Sequence, residues 1–396
     1  MPDNSDNATG PLAGIRVLDF SALLQGPLAT QILADCGADV VKLEKPEGEW
    51  MRHWGICMAR THGETDAFLA FNRNKRSVEV DLKDADDHDR IIDLVKKADV
   101  VVENFRPGVM DRLGFGFATL KQHNPGIIYA ASSGYGQTGP YVKRPGQDYL
   151  VQALTGAMWL SGRRDDPPFV MGPAIADQFT ALHLVIGILA ALQHRHRTGE
   201  GQRVDVDLLS CMMAVQQQEL TVYFNHGEPL ERARENVGHP GLTAPCGVYG
   251  TSDGYLMLAM FPCPKLGEIL EVDWLAEYDT NDKMYTARDD VHRKLSAHFA
   301  TDTTGHWIDL LTSHDVWCAP VQKYTDLEQD PQIVHKHLIW DVPYAEGNAS
   351  YRTVGSPFTF SASPVAVRRS APRSGQHTDA FRNGAIWEDK INETGE

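Results

Sequence analysis

Ile15-Arg16-Val17-Leu18-Asp19-Phe20, an apolar helical stretch from Leu28 to Leu33, and then Asp39-Val40-Val41-Lys42-Leu43 form the strand–helix–strand reading that decides the fold. Apolar residues run nearly unbroken in each strand, so both faces must be covered. Working outward, Ser77-Val78-Glu79-Val80-Asp81, Asp99-Val100-Val101-Val102-Glu103, Ile127-Ile128-Tyr129-Ala130 and Arg203-Val204-Asp205-Val206-Asp207-Leu208 read as further strands. Between two of them, Asp87 to Lys97 puts Ile91, Ile92, Leu94 and Val95 at helical spacing. Strands alternating with helices predict an α/β chain built on a mainly parallel, Rossmann-like sheet. A loose arm is expected over 1–12, a large domain over 13–224, a smaller α+β domain over 225–330, and a loop-rich return to the large domain over 331–396. Met212 to Tyr223 predicts one helix, Gly247 to Met260 a hairpin, and Arg288 to Phe299 a helix of the smaller domain.

Composition removes several classes of function. The formal charge of −16 argues against nucleic acid or an anionic membrane as the main partner. The six cysteines are scattered without a C-x-x-C pair, so neither structural zinc nor a disulfide framework is expected, and no metal site is expected elsewhere. The polar, acidic start Met1-Pro2-Asp3-Asn4 does not read as a signal peptide, and no apolar segment is expected to reach membrane-spanning length without interruption. A cytoplasmic location is the expectation. The first strand is followed by Ser21-Ala22-Leu23-Leu24-Gln25-Gly26-Pro27, which lacks G-x-G-x-x-G, and no G-x-x-x-x-G-K-[ST] loop is present. Nicotinamide oxidoreduction and nucleotide triphosphate chemistry are disfavoured accordingly.

One carboxylate stands out. Asp177 lies in Met171-Gly172-Pro173-Ala174-Ile175-Ala176-Asp177-Gln178, ahead of the apolar run Leu182 to Leu189, which ends in His194-Arg195-His196-Arg197. This places an acid at the N-terminal end of a long, mostly buried helix, where the helix dipole favours negative charge. The plain reading is an N-cap or first-turn residue. His183, inside the apolar run, reads as a hydrogen-bonded core histidine rather than a base.

Several segments together change the reading of Asp177. Pro11-Leu12-Ala13-Gly14-Ile15-Arg16-Val17-Leu18-Asp19, Gly37-Ala38-Asp39-Val40-Val41-Lys42-Leu43-Glu44-Lys45-Pro46, Asn72-Arg73-Asn74-Lys75-Arg76-Ser77, Val102-Glu103-Asn104-Phe105-Arg106-Pro107-Gly108 and Ser133-Gly134-Tyr135-Gly136-Gln137-Thr138-Gly139-Pro140 occur in order along the chain. With Arg197-Thr198-Gly199-Glu200-Gly201-Gln202 they make the chain resemble the class III CoA transferases, the family of formyl-CoA transferase with α-methylacyl-CoA racemase as a sister activity. The resemblance implies that Asp177 is the nucleophile. It would carry an acyl-aspartyl anhydride and then an aspartyl-CoA thioester, keeping thioester energy without ATP. No permanent cofactor is implied, only a CoA thioester as substrate and a small carboxylic acid as its partner in exchange. The resemblance also implies CoA contacts at Leu24, Gln25, Lys45, the Val80-Asp81-Leu82-Lys83 turn, Asn104, Phe105, Arg106, Arg112 and the Pro145-Gly146-Gln147-Asp148 segment. Lys45, Lys83, Arg106 and Arg112 each read alone as solvated surface charge, whereas as a set after strands they suit phosphate groups. An intertwined homodimer of open-ring chains is implied as well.

Two departures narrow the expectation. Leu24 replaces the glutamine of formyl-CoA transferases, although Gln25 is adjacent, which argues against formyl or oxalyl specificity. Gln147 stands where racemases carry a histidine base, so two-base proton transfer lacks one partner. A racemase and a non-catalytic acyl-CoA-binding protein remain the alternatives, with succinyl-CoA as the expected donor for a transferase.

Overall fold

The computed structural model describes residues 10–344 and 349–387, so most of the expected N-terminal arm lies outside the described residues. The chain divides into two compact units. The first holds the residues up to Val151, Ala174–Val215 and the residues from Pro331 onward; the second holds Gln152–Pro173 and Gln216–Asp330. Residues 152–173 and 216–224, expected in the large domain, thus fall in the smaller unit.

Six strands build the main sheet of the first unit: β1 (Arg16–Asp19), β2 (Asp39–Glu44), β3 (Lys75–Glu79), β4 (Val100–Glu103), β5 (Ile128–Ser133) and β6 (Arg203–Asp207). They form one sheet in the order β3-β2-β1-β4-β5-β6 with every pairing parallel, the order of dinucleotide-binding sheets. The helices that position the site are α1 (Gln25–Asp35), α2 (Ala85–Val95), α3 (Phe117–His123), α4 (Asp148–Leu154) and α5 (Ile175–Thr198). Successive strand residues point to opposite faces. Val17, Val40, Val100, Val102 and Ile128 pack with Ala29 and Leu33 of α1 and with Leu184 and Ile188 of α5. Leu18, Val41, Val78, Val101 and Tyr129 pack with Ile91 and Leu94 of α2 and Leu120 of α3. The near-continuous apolar runs follow directly from this covering of both faces.

Some boundaries moved for physical reasons. β3 starts at Lys75, two residues before the expected Ser77. Its first side chain is fully buried, and the ammonium reaches Asp19 Oδ2 at 3.1 Å, the Pro27 carbonyl at 2.9 Å and Asn72 Oδ1 at 2.8 Å. Helix α2 starts earlier than Asp87 because the Asp84 carboxylate accepts the amides of Asp86 and Asp87, both at 3.0 Å. The single helix expected over Met212 to Tyr223 is two, Leu208–Val215 and Gln217–His226, broken at Gln216. The loop-rich tail contains an antiparallel pair, Ile339–Pro343 with Ser350–Val354.

Helix α5 corrects a further expectation. By length and composition it is long and apolar enough to cross a membrane. Ala181, Leu184, Val185 and Ile188 pack into the core beneath the sheet, whereas Leu182, Ile186 and Leu189 are exposed on the chain. The helix is therefore buried on one face only.

In the second unit, β7 (Gly247–Gly250) and β8 (Tyr255–Leu258) form the expected hairpin, joined by β9 (Cys318–Pro320). The helix expected over Arg288 to Phe299 is present at those bounds and packs Val291, Leu295 and Phe299 with Tyr249 and Leu256 of the sheet.

Candidate active site

Strand order locates the site before any side chain is considered. The sheet reverses direction of growth between β1 and β4, and ligands of such sheets bind outside the strand ends at that point. Helix α1 follows β1. Helix α5 leads into β6 through residues 199–202, so its N-terminus lies at the carboxyl end of the sheet. Leu24, Gln25 and Asp177 are thereby brought to one edge by topology alone.

Asp177 occupies the first turn of α5, which has no side-chain cap at Ala174. Its backbone N–H donates to Asp148 Oδ2 at 2.9 Å. Asp148 is the first residue of α4 and is buried. The Asp177 side chain is half-buried, and loss of water followed by the nearby Asp148 charge pushes its pKa up to about 7. Asp148 and Asp177 flank the stretch 152–173 that the chain spends in the second unit. His183 Nδ1 bonds the Phe179 carbonyl at 2.8 Å within its own helix.

The loop after β1 is held from several directions. The Asn104 amide exchanges two bonds with Ala22, accepting its N–H at 2.9 Å and donating to its carbonyl at 2.7 Å. This ties together the two loops that border the reversal point. Leu23 has φ +70°, which a branched side chain resists, and its N–H donates to Glu49 Oε2 at 2.8 Å. Glu49 in turn pairs with the buried Lys42 ammonium at 3.3 Å. Gln25 Oε1 accepts the Ser132 hydroxyl from the end of β5 at 2.7 Å.

The remaining candidates lie after the other strands at the same edge. Lys45 follows β2 and is exposed, 4.0 Å from Glu47. Lys83 follows β3 and is exposed, and Leu82 packs against the apolar cluster of α2 and α3. After β4, Phe105 packs on that same cluster while Arg106 and Arg112 face solvent. These four cations are exposed after successive strands, whereas Asn104, Gln25 and Asp148 are committed to protein partners. Glu49 and Ser132 were not anticipated, because nothing local marks a residue whose partner lies far away in the chain. No group of three His, Cys, Asp or Glu side chains suited to a metal ion occurs among the described residues.

The profile of CoA-transferase family III matches residues 12–378. The chain belongs to that family. It is a class III CoA-transferase, and enzymes of this family use CoA thioesters as substrates. The chain is 35% identical over 380 residues to succinyl-CoA:mesaconate CoA-transferase of Haloarcula hispanica, covering 93% of this chain and 94% of that protein. It is also 35% identical to succinate–glutarate CoA-transferase of Agrobacterium fabrum, with 94% of each covered. A solved structure of a CaiB/BaiF family protein from Brucella suis superposes with a TM-score of 0.85 at 32% identity, covering 95% of this chain and all of that one.

A reaction that used the ionised form of Asp177 would follow its raised pKa. If the ionised carboxylate is the reacting form, kcat/KM falls about tenfold per pH unit below about 7 and levels off above it. Asp148→Asn keeps an acceptor for the Asp177 amide and removes the charge. The acid limb then moves to lower pH but stays above the ordinary carboxylate range, since burial is the larger cause. A pH–rate profile of both proteins checks this; a limb that does not move contradicts it.

Proposed function

We propose that this transferase moves CoA from succinyl-CoA to a small free carboxylic acid through covalent intermediates on Asp177. The observation that carries the reading is a half-buried carboxylate of raised pKa on the first turn of α5, held through its amide by a second carboxylate. An Asp177 oxygen attacks the thioester carbonyl, the C–S bond breaks, and CoA leaves as thiolate with an acyl-aspartyl anhydride behind. The thiolate attacks the Asp177 carbonyl carbon, releasing the donor acid and leaving an aspartyl-CoA thioester. The acceptor carboxylate then attacks that thioester, giving a second anhydride and free thiolate. Attack of the thiolate on the acceptor acyl carbon yields the new CoA thioester and regenerates Asp177. The Ile175 and Ala176 amides that open α5 suit the oxyanion of each addition, whereas the Asp177 amide is taken by Asp148.

Binding of CoA phosphates is assigned to the exposed Lys45, Lys83, Arg106 and Arg112, with the ordered Leu23-Leu24-Gln25 turn beneath the thioester. Succinyl-CoA as donor rests on the relatives named for succinyl-CoA and succinate exchange. The test is a panel of mesaconate, glutarate and related acids incubated with succinyl-CoA and read by mass spectrometry for new thioesters. No new thioester with any dicarboxylate would overturn the donor assignment.

A homodimer of interlocked open-ring chains is part of the proposal. It is supported by the exposed stripe Leu182, Ile186 and Leu189 along α5, which a second copy would cover. Light scattering is expected to give about twice the chain mass of 43.9 kDa. A monomer that retains full activity would contradict it. A cytoplasmic location is proposed as well, because all six cysteines are free and Cys57 is exposed.

A further inference from the structure

Between β5 and α4 the chain makes an excursion over residues 135–145, leaving at Gly134 and returning at Gly146. The two backbones cross at this neck. A Cβ on Gly134 would lie 2.6 Å from Gly146 Cα and 3.3 Å from its nitrogen, and a Cβ on Gly146 would run into Gly134 Cα. Neither glycine has a positive φ, so it is the absent side chain that matters here and not backbone freedom. The Tyr135 hydroxyl spans the same neck to the Pro145 carbonyl at 3.4 Å. On the β5 side, Gly134 is anchored because its carbonyl accepts the Leu209 amide at 3.2 Å. On the α4 side, the Gln147 carbonyl accepts the amides of Leu150 and Val151 at 3.1 and 3.3 Å, so the helix starts two residues after Gly146. Asp148 comes next, and its carboxylate holds the Asp177 amide at 2.9 Å.

We infer that the Gly134–Gly146 crossing is a positioning device for the transfer reaction, setting how far Asp148 stands from the sheet edge and hence where the Asp177 turn is held. The inference rests on the reading of Asp177 as nucleophile. A methyl group on either glycine has only backbone to push against, so the two strands of the neck must separate and the start of α4 must move with them. Displacement of a reacting group by about 1 Å is enough to cost on the order of 10²-fold in rate.

Gly134→Ala and Gly146→Ala, with circular dichroism as the check of folding, test it on the full chain. Both are expected to lower kcat roughly 10- to 100-fold with KM for succinyl-CoA changed by less than about threefold. Both should also shift the acid limb of kcat/KM to lower pH, since Asp148 supplies the neighbouring charge at Asp177. In an Asp148→Ala background, which has no acceptor for the Asp177 amide, the glycine substitutions should add no further loss, because they act through that side chain. Wild-type kcat with an unmoved limb in folded variants, or a fully additive loss in the Asp148→Ala background, overturns the inference. Should both alanine variants fail to fold, Tyr135→Phe decides. It loosens the same neck, and an unchanged rate and pH profile overturns the inference, whereas a drop of about threefold with a shifted limb supports it. Asp177→Ala separates the two levels. Retained exchange in that variant removes the nucleophile reading itself, whereas loss of exchange there beside wild-type behaviour of the glycine variants removes only the neck.

Discussion

Asp177→Ala is expected to lower CoA exchange by at least about 10⁴-fold, while acyl-CoA still binds and the chain still folds. The magnitude follows from what the residue is asked to do. The neighbouring carboxylate, Asp148, is not placed to replace it, because it is buried and its Oδ2 is occupied by the Asp177 amide. Without the aspartate no side chain carries the acyl group or CoA between the two acids, so donor and acceptor would have to be held in the site together for direct exchange. Folding should survive because the Asp177 side chain is only half-buried and sits on a helix whose apolar face is held by Ala181, Leu184 and Ile188. Exchange measured with succinyl-CoA and an isotopically labelled acid reads the activity, and thermal unfolding reads the fold. Exchange within tenfold of the parent would contradict the assignment.

The second large effect concerns stability. Lys75→Met is expected to cost about 3–5 kcal/mol of unfolding free energy, measured by urea denaturation. Lys75 and Asp19 are both fully buried, 3.1 Å apart. Burial pulls the Lys75 pKa down to about 8, with Asp19 opposing and Lys42 assisting. Burial acts to raise Asp19, but Lys75, Lys42 and the hydroxyls of Ser21 and Thr30 bring it to about 2. The pair is therefore charged between about pH 2 and 8, and removing the cation leaves a carboxylate in the sheet with one fewer counter-charge. Asp19 also accepts the Ser21 amide at 2.9 Å, so the loss reaches the loop after β1. Adding Asp19→Asn to Lys75→Met should recover part of the stability, because the uncompensated charge goes with it. A single-variant loss under about 1 kcal/mol would show that the pair is not buried as described.

Much of this architecture was readable from apolar patterning. Val17-Leu18, Val40-Val41 and Val100-Val101-Val102 are consecutive because alternate residues feed two different cores, one under α1 and α5 and one under α2 and α3. The reading failed where charge is buried inside a strand. Lys75 begins β3, yet on composition the stretch Asn72 to Arg76 looks like a loop. It failed again at Gln216, where no proline or glycine marks the helix break, and at the antiparallel pair Ile339–Pro343 and Ser350–Val354, where Asp341 and Pro343 obscure the strand pattern.

The site was legible unevenly. Asp177 is conspicuous as a carboxylate ahead of a long apolar helix, but by itself that reads as a first-turn acid; its role, like that of its neighbour Asp148, enters only through family resemblance. The bonds that shape the edge, Asn104 to Ala22, Glu49 to Leu23 and Ser132 to Gln25, join residues far apart in the chain. No local pattern can encode them. The six strands bring these partners together, so they become visible only once the sheet order is known.

The central claim is a covalent bond at one side chain, and it can be weighed directly. Incubate the protein with succinyl-CoA and no acceptor, quench with hydroxylamine, digest, and measure peptide masses. The account predicts a hydroxamate on the peptide carrying Asp177 and on no other. A protein that exchanges CoA between acids while that peptide stays unmodified, or that carries the modification on a different residue, would contradict it.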